Sequence, residues 1–204
     1  MNCKLLFLII VIYFFFFSSC KEGYDNSEYL NIYGEPLKPC QLDMSQDNQG
    51  SWINGHCSEM GGGVHQICLE VDKTDKFSEN TGQGNWSEGR SGKNHCMCLG
   101  AWALYKAKQN TGQINKTDNE LLCESIMDDA LHERYVGNWN TWNGNELDNQ
   151  IIHGVNELME QCYDKGTQSQ REYLKNIYLE LTDPRGEFHD TATYIKHKFD
   201  NNLV

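Results

Sequence analysis

The chain has 204 residues, with 17 Lys and Arg against 29 Asp and Glu, a formal net charge of −12. A nucleic-acid surface needs clustered cations to displace counterions; with this balance and no basic stripe, polyanion binding is disfavoured. The length suits one domain, or one domain with an extension.

Residues 1–19 read as an export signal: Lys4 supplies a charged start, 5–17 is unbroken apolar chain, and Ser18 and Ser19 close it with small side chains. An apolar run of about thirteen residues is short for a transmembrane helix, so a membrane-spanning anchor is not expected. Phe17-Ser18-Ser19-Cys20 resembles a bacterial lipobox, with Phe where Leu is preferred. Cys20 is therefore the expected lipidation site. Acyl chains, at roughly 0.8 kcal/mol per buried methylene, would tie the protein to a membrane. Residues 20–30 form the lipidated tether, and the expected address is the cell envelope. The alternative is a cleaved secretory peptide and a soluble product, with Asn85-Trp86-Ser87 and Asn115-Lys116-Thr117 as glycan acceptors in a suitable host.

Beyond the tether, 31–51 reads as loop, with Gly34, Pro36 and Pro39 setting turns. Asn54-Gly55 is a tight-turn dipeptide, and Gly61-Gly62-Gly63 marks backbone closed to other residues. Residues 64–71 alternate as a strand, His65, Ile67, Leu69 and Val71 on one face and Gln66, Cys68 and Glu70 on the other. Thr74 is placed to cap a short helix through Phe77, and 81–94, rich in Gly, Asn and Ser, reads as an exposed loop.

Helices dominate the remainder. Over 98–108, Cys98, Ala101, Trp102, Tyr105 and Lys108 share a face, and Gly112 is a stop. Thr117-Asp118-Asn119-Glu120 has the form of a capping box, predicting a helix to about 136 that buries Leu122, Ile126, Ala130 and Leu131. After a break at 137–145, Leu147, Ile151, Val155, Leu158, Met159 and Cys162 form an apolar stripe. Ser169-Gln170-Arg171-Glu172 predicts a further helix using Leu174, Ile177, Tyr178 and Leu181. Asp183-Pro184-Arg185-Gly186 ends it, and Ile195 and Phe199 suggest a last weak helix. The fold class is α+β: a small cysteine-rich core with a short sheet and packed helices, plus a helical C-terminal extension.

Export makes the cysteines informative, because an oxidising compartment favours pairing. Seven follow Cys20, at 40, 57, 68, 96, 98, 123 and 162, and an odd number leaves at least one unpaired. Cys96 and Cys98 are the candidate catalytic residues: a thiol in the first turn of a helix is pushed toward thiolate by the helix dipole, and a neighbour two residues away would complete a redox pair. Zinc is the other chemistry, with Cys57, His65, Cys68, Cys96 and Cys98 as soft donors, although Cys-x-Cys is less diagnostic than paired Cys-x-x-Cys knuckles. The structural alternative bonds these residues to Cys40, Cys57 or Cys68 and packs Cys98 beside Trp102. That outcome is the expected one. Trp139 and Trp142, interleaved with asparagine and threonine, are candidate glycan-binding residues or a cover over the seam to the extension.

Several runs resemble the bacterial family known as domain of unknown function 2237. They are Asn31-Ile32-Tyr33-Gly34-Glu35-Pro36-Leu37-Lys38-Pro39-Cys40, Gly50 to Cys57, His65-Gln66-Ile67-Cys68, His95-Cys96-Met97-Cys98 with Trp102, and Glu124 to Val136. The order and spacing agree over 31–137, which sets the core apart from the extension at 138–204. The resemblance implies a compact α+β domain in which Cys40, Cys57, His65, Cys68, Cys96 and Cys98 converge. Three positions depart from the family's pattern: His56 stands where cysteine is common, Ala101 where arginine is, and Met127 where histidine is. A copy lacking that arginine and histidine is expected to bind rather than catalyse. Cys123, at a position where the family has leucine, departs together with Cys162 in the extension, which implies a bond between them. The expected function is an exported, lipid-anchored accessory or binding module for a protein or glycan, the alternative a thiol-disulfide or zinc-dependent enzyme.

Overall fold

The computed structural model describes residues 29–41, 55–58, 65–71, 76–117, 119–131, 147 and 150–181. The export segment, Cys20, Thr74, Trp139, Trp142 and the chain from 182 onward lie outside the described residues. The protein is α+β, a three-stranded antiparallel sheet packed with helices. β1 (Ile67–Glu70) is central, with β2 (Asn94–Met97) on one side and β3 (Glu120–Leu121) on the other. The helices are α1 (Phe77–Asn80), α2 (Leu99–Asn110), α3 (Gln150–Lys165) and α4 (Gln168–Leu181). No helix among the described residues is long and apolar enough to cross a membrane.

β1 follows the expected alternation, yet both its faces are buried. Ile67 and Leu69 stand opposite Met97 and His95 on one face, while Cys68 stands opposite Cys96 on the other. The Cys68 face is covered because the cysteines there reach across to the loop chain.

α2 is central and buried nearly all round, from Leu99 to Ala107. It stops as its sequence predicts: Thr111 N–H donates to Ala107 O, and Gly112 takes φ 74°, a left-handed angle suited to glycine. Against it lies α3, whose stripe of Ile151, Val155, Leu158, Met159 and Cys162 is buried as expected. The two helices approach closely at Gly154, where a Cβ would stand 2.6 Å from Ala103 Cα. Trp102 Nε1 donates to Gly154 O at 3.0 Å. Lys106, buried in the same seam, lies 3.5 Å from a Glu157 carboxylate oxygen and 4.6 Å from the Trp102 ring centroid.

Four local expectations are corrected. The described residues of 117–131 form no α-helix; they give β3 and two 3-10 turns, Cys123–Ser125 and Asp128–Leu131. The Thr117 hydroxyl does not cap, because Tyr105 and Gln109 contact it at 2.8 and 3.1 Å. The backbone that follows bonds sideways instead, Leu122 N–H to Cys68 O and Met127 N–H to Gln66 O. Among the described residues, α1 begins at Phe77, after a non-helical Lys76, rather than ending there. α4 is capped two residues earlier than predicted, Gln170 N–H donating to Thr167 Oγ1 and Thr167 N–H to Gln170 Oε1. Residues 81–94 are no simple exposed loop, since Thr81, Ser87 and Arg90 are buried and Glu88–Arg90 is a 3-10 turn.

The segment at 29–41 is tied to the turn after β3 and to α3. Asn31, fully buried, folds it: its Oδ1 accepts from the Tyr33 and Glu35 amides, and its Nδ2 donates to Glu124 O. Tyr33 Oη donates to Cys162 O at 2.7 Å. Burial, with Glu124 and Glu35 nearby, pushes that phenol up to about 12, so the bond keeps its proton at neutral pH.

Candidate functional site

The candidate cysteines fall into two environments. On one face of the sheet, Cys68 of β1 and Cys96 of β2 stand opposite each other but do not bond together. Cys68 joins Cys40, and Cys96 joins Cys57, with Cα–Cα distances of 5.8 and 5.3 Å. The sulfurs of Cys40, Cys57 and Cys68 lie within 4.8 Å of one another, so the two disulfides adjoin. A third disulfide joins Cys123, just after β3, to Cys162 of α3 with Cα–Cα 5.6 Å. It is the pair expected for Cys123 and Cys162.

Among the described residues, Cys98 is the cysteine outside a disulfide. It caps α2 through its side chain, Sγ accepting from Ala101 N–H at 3.4 Å. The position matches the reasoning for an activated thiolate, but the energetics reverse it. Burial raises the thiol to about 11, outweighing the backbone N–H groups that favour the anion. The expected redox neighbour, Cys96, is bonded to Cys57 instead.

The candidate zinc donors are divided in the same way. A tetrahedral site needs converging thiolates and imidazoles. Cys57, Cys68 and Cys96 are in disulfides and offer no thiolate, while His65 and Cys98 lie elsewhere, bordering a cavity. The oxidised protein therefore does not present these residues as one ligand set.

That cavity has a volume of about 270 Å³. His95 and Met97, alternating with Cys96 along β2, border it, and the 83–90 segment supplies Gln83, Trp86 and Arg90. Trp86 is held in an aromatic ladder. Its ring stacks on His95 at 4.2 Å, lies 5.9 Å from Phe77, and Phe77 in turn lies 4.6 Å from Tyr105 of α2. The Trp86 indole N–H donates to Gln83 Oε1 at 3.3 Å. Beside it, Ser78 and Ser87 exchange backbone-to-hydroxyl hydrogen bonds at 3.2 and 3.1 Å, fixing where the loop turns.

Sequence reading missed Gln83, Trp86, Arg90, His95 and Met97. Strand alternation was the usable signal for His95 and Met97, since Cys96 between them faces the other way. Nothing in the spacing of Gln83, Trp86 and Arg90 marks them. No protein-family model, curated protein or solved structure matches this chain.

Proposed function

We propose that this protein is an exported, lipid-anchored accessory or binding module, not a thiol-disulfide or zinc enzyme. The observation that carries this reading is the state of the sulfurs: Cys96 is bonded to Cys57, and Cys98 is buried with its thiol pushed up to about 11. A redox or nucleophilic cysteine needs an accessible thiolate near neutral pH, and Cys98 is 4% exposed. The three disulfides suit an oxidising compartment, which agrees with the signal-like residues 1–19 and the lipobox at Cys20. The motif order over 31–137, which resembles domain of unknown function 2237, supports a compact domain without assigning it an activity.

Intact-mass measurement of unreduced protein from its native membrane fraction tests this. The expected mass includes acyl chains on Cys20 and three disulfides, and the protein partitions into detergent. Cys20→Ser is expected in the aqueous phase or as an unprocessed precursor. Equal partitioning of both proteins, with a cleaved and unmodified N-terminus, rules out the anchor. Fewer than three disulfides rules out the closed cysteine core.

A further inference from the structure

We infer that Cys40, Cys57, Cys68 and Cys96, paired as two disulfides in the oxidised protein, become a four-thiolate site for a dication of the zinc class once a dithiol reduces them. This goes beyond the binding-module reading and does not rest on it. The ligand set also differs from the one expected from the sequence: Cys40 enters, and His65 and Cys98 drop out.

Distance comes first. A tetrahedral zinc with sulfurs at about 2.3 Å holds those sulfurs roughly 3.8 Å apart. The sulfurs of Cys40, Cys57 and Cys68 already lie within 4.8 Å of one another, and the fourth sulfur, that of Cys96, is bonded to Cys57. Opening each bond to the tetrahedral spacing moves a sulfur by about 1 Å. The other candidate donors lie elsewhere. His65 and Cys98 border the cavity, and Cys123 and Cys162 join the turn after β3 to α3.

The backbone that carries the four cysteines is held by bonds that reduction leaves intact. Cys68 and Cys96 stand opposite each other in the β1–β2 ladder. Cys40 N–H donates to Gly55 O at 2.8 Å and Gln41 N–H to the same oxygen at 3.0 Å, which ties the segment of Cys40 to that of Cys57. Asn94 Nδ2 donates to Cys40 O at 2.7 Å and ties the first of these segments to β2. The donors therefore keep their places relative to one another without the sulfur bonds, the pre-organisation that a metal site requires.

All four cysteines are at most 2% exposed. A metal there replaces two separate cross-links by one that joins all four segments, so its binding energy goes into the fold. Four protein ligands leave no open position for water or substrate, which makes the site structural rather than catalytic.

The exchange balances. Each disulfide takes two electrons and two protons from one dithiol, which closes to its own disulfide, so two dithiols yield four thiols. The dication then binds the four sulfurs as thiolates, and four protons leave.

The test uses mature protein reduced with excess dithiol, which is removed under argon before titration with Co²⁺ or Zn²⁺ alone. Cobalt is expected to bind once per chain with the visible bands of a tetrahedral site and thiolate-to-cobalt charge transfer, and zinc to displace it. X-ray absorption of the zinc-loaded protein is expected to show four sulfurs at about 2.3 Å. Cys40→Ser is expected to weaken zinc binding about tenfold or more, since even outer-shell changes cost that much, and Cys98→Ser to leave it unchanged. If Cys40→Ser does not fold, the X-ray shell of the parent decides. No uptake, equal uptake by unreduced protein, an octahedral cobalt spectrum, nitrogen or oxygen in the zinc shell, loss of the site in Cys98→Ser, or unchanged affinity in Cys40→Ser each overturns the assignment. Such a failure removes the metal site and leaves the module, whereas a reactive Cys98 removes the module and leaves the metal site.

Discussion

Replacing Cys123 and Cys162 together by alanine is expected to lower stability by roughly 4 kcal/mol, the loop-entropy value for a separation of 39 residues. The bond does more than shorten the unfolded chain. It joins the turn after β3 to α3 beside two polar ties, Gln161 Oε1 accepting from Leu121 N–H at 3.1 Å and Lys165 Nζ donating to Leu121 O at 2.8 Å. Both half-cystines are buried, so the alanines also leave a void in the core. Urea unfolding of both proteins measures the difference. A loss below about 1 kcal/mol would mean that α3 is held against the sheet without the bond.

Gly154→Leu is expected to cost more than 3 kcal/mol or prevent folding, because no leucine rotamer moves the Cβ itself. That atom would stand 2.6 Å from Ala103 Cα and 2.7 Å from Ala103 Cβ, so α2 and α3 must separate. Separation also breaks the Trp102–Gly154 hydrogen bond and the Lys106–Glu157 ion pair. Gly154→Ala isolates the steric effect. Helix propensity alone favours alanine by about 1 kcal/mol, so a net loss shows that close approach dominates. Gly89→Ala, where an added Cβ meets nothing within 4 Å, is the neutral control. Thermal melting of the three variants ranks them, and a Gly154→Ala protein more stable than the parent would contradict the packing.

Elements whose side chains follow a single period were legible in the sequence, even where, as in β1, both faces are buried. β1 alternates, the α3 stripe recurs at helical spacing, and Gly112 stops α2. Segment 117–131 was not, because its apolar residues fit a helix while its polar groups have tertiary partners: Tyr105 and Gln109 contact Thr117, and β1 carbonyls accept from the amides of Leu122 and Met127. The cysteine partners were legible only in part. Cys68 and Cys96 face each other across the ladder, and which loop cysteine each one meets depends on how the loop crosses the sheet. Cys98 carries the same lesson in energy: its place at a helix start argues for a thiolate, and burial, invisible locally, wins. The cavity is assembled from β2, the chain before β1 and a segment that reads as loop, so no single spacing encodes it.

The most direct test of the binding-module account is the rate at which iodoacetamide modifies Cys98 in native protein against pH, with Cys98→Ser as the control. With the thiol raised to about 11, modification at pH 7 is expected to be slower than for an exposed thiol of pKa about 8.5, and to become fast only after unfolding or as pH climbs toward 11. The same shift fixes the sign of the stability effect. The buried neutral thiol contributes stability that is fully present below the ordinary thiol range and is lost as pH rises through about 11. Rapid labelling of Cys98 at pH 7 in folded protein, absent in Cys98→Ser, would contradict the account and make the cysteine enzyme the better reading.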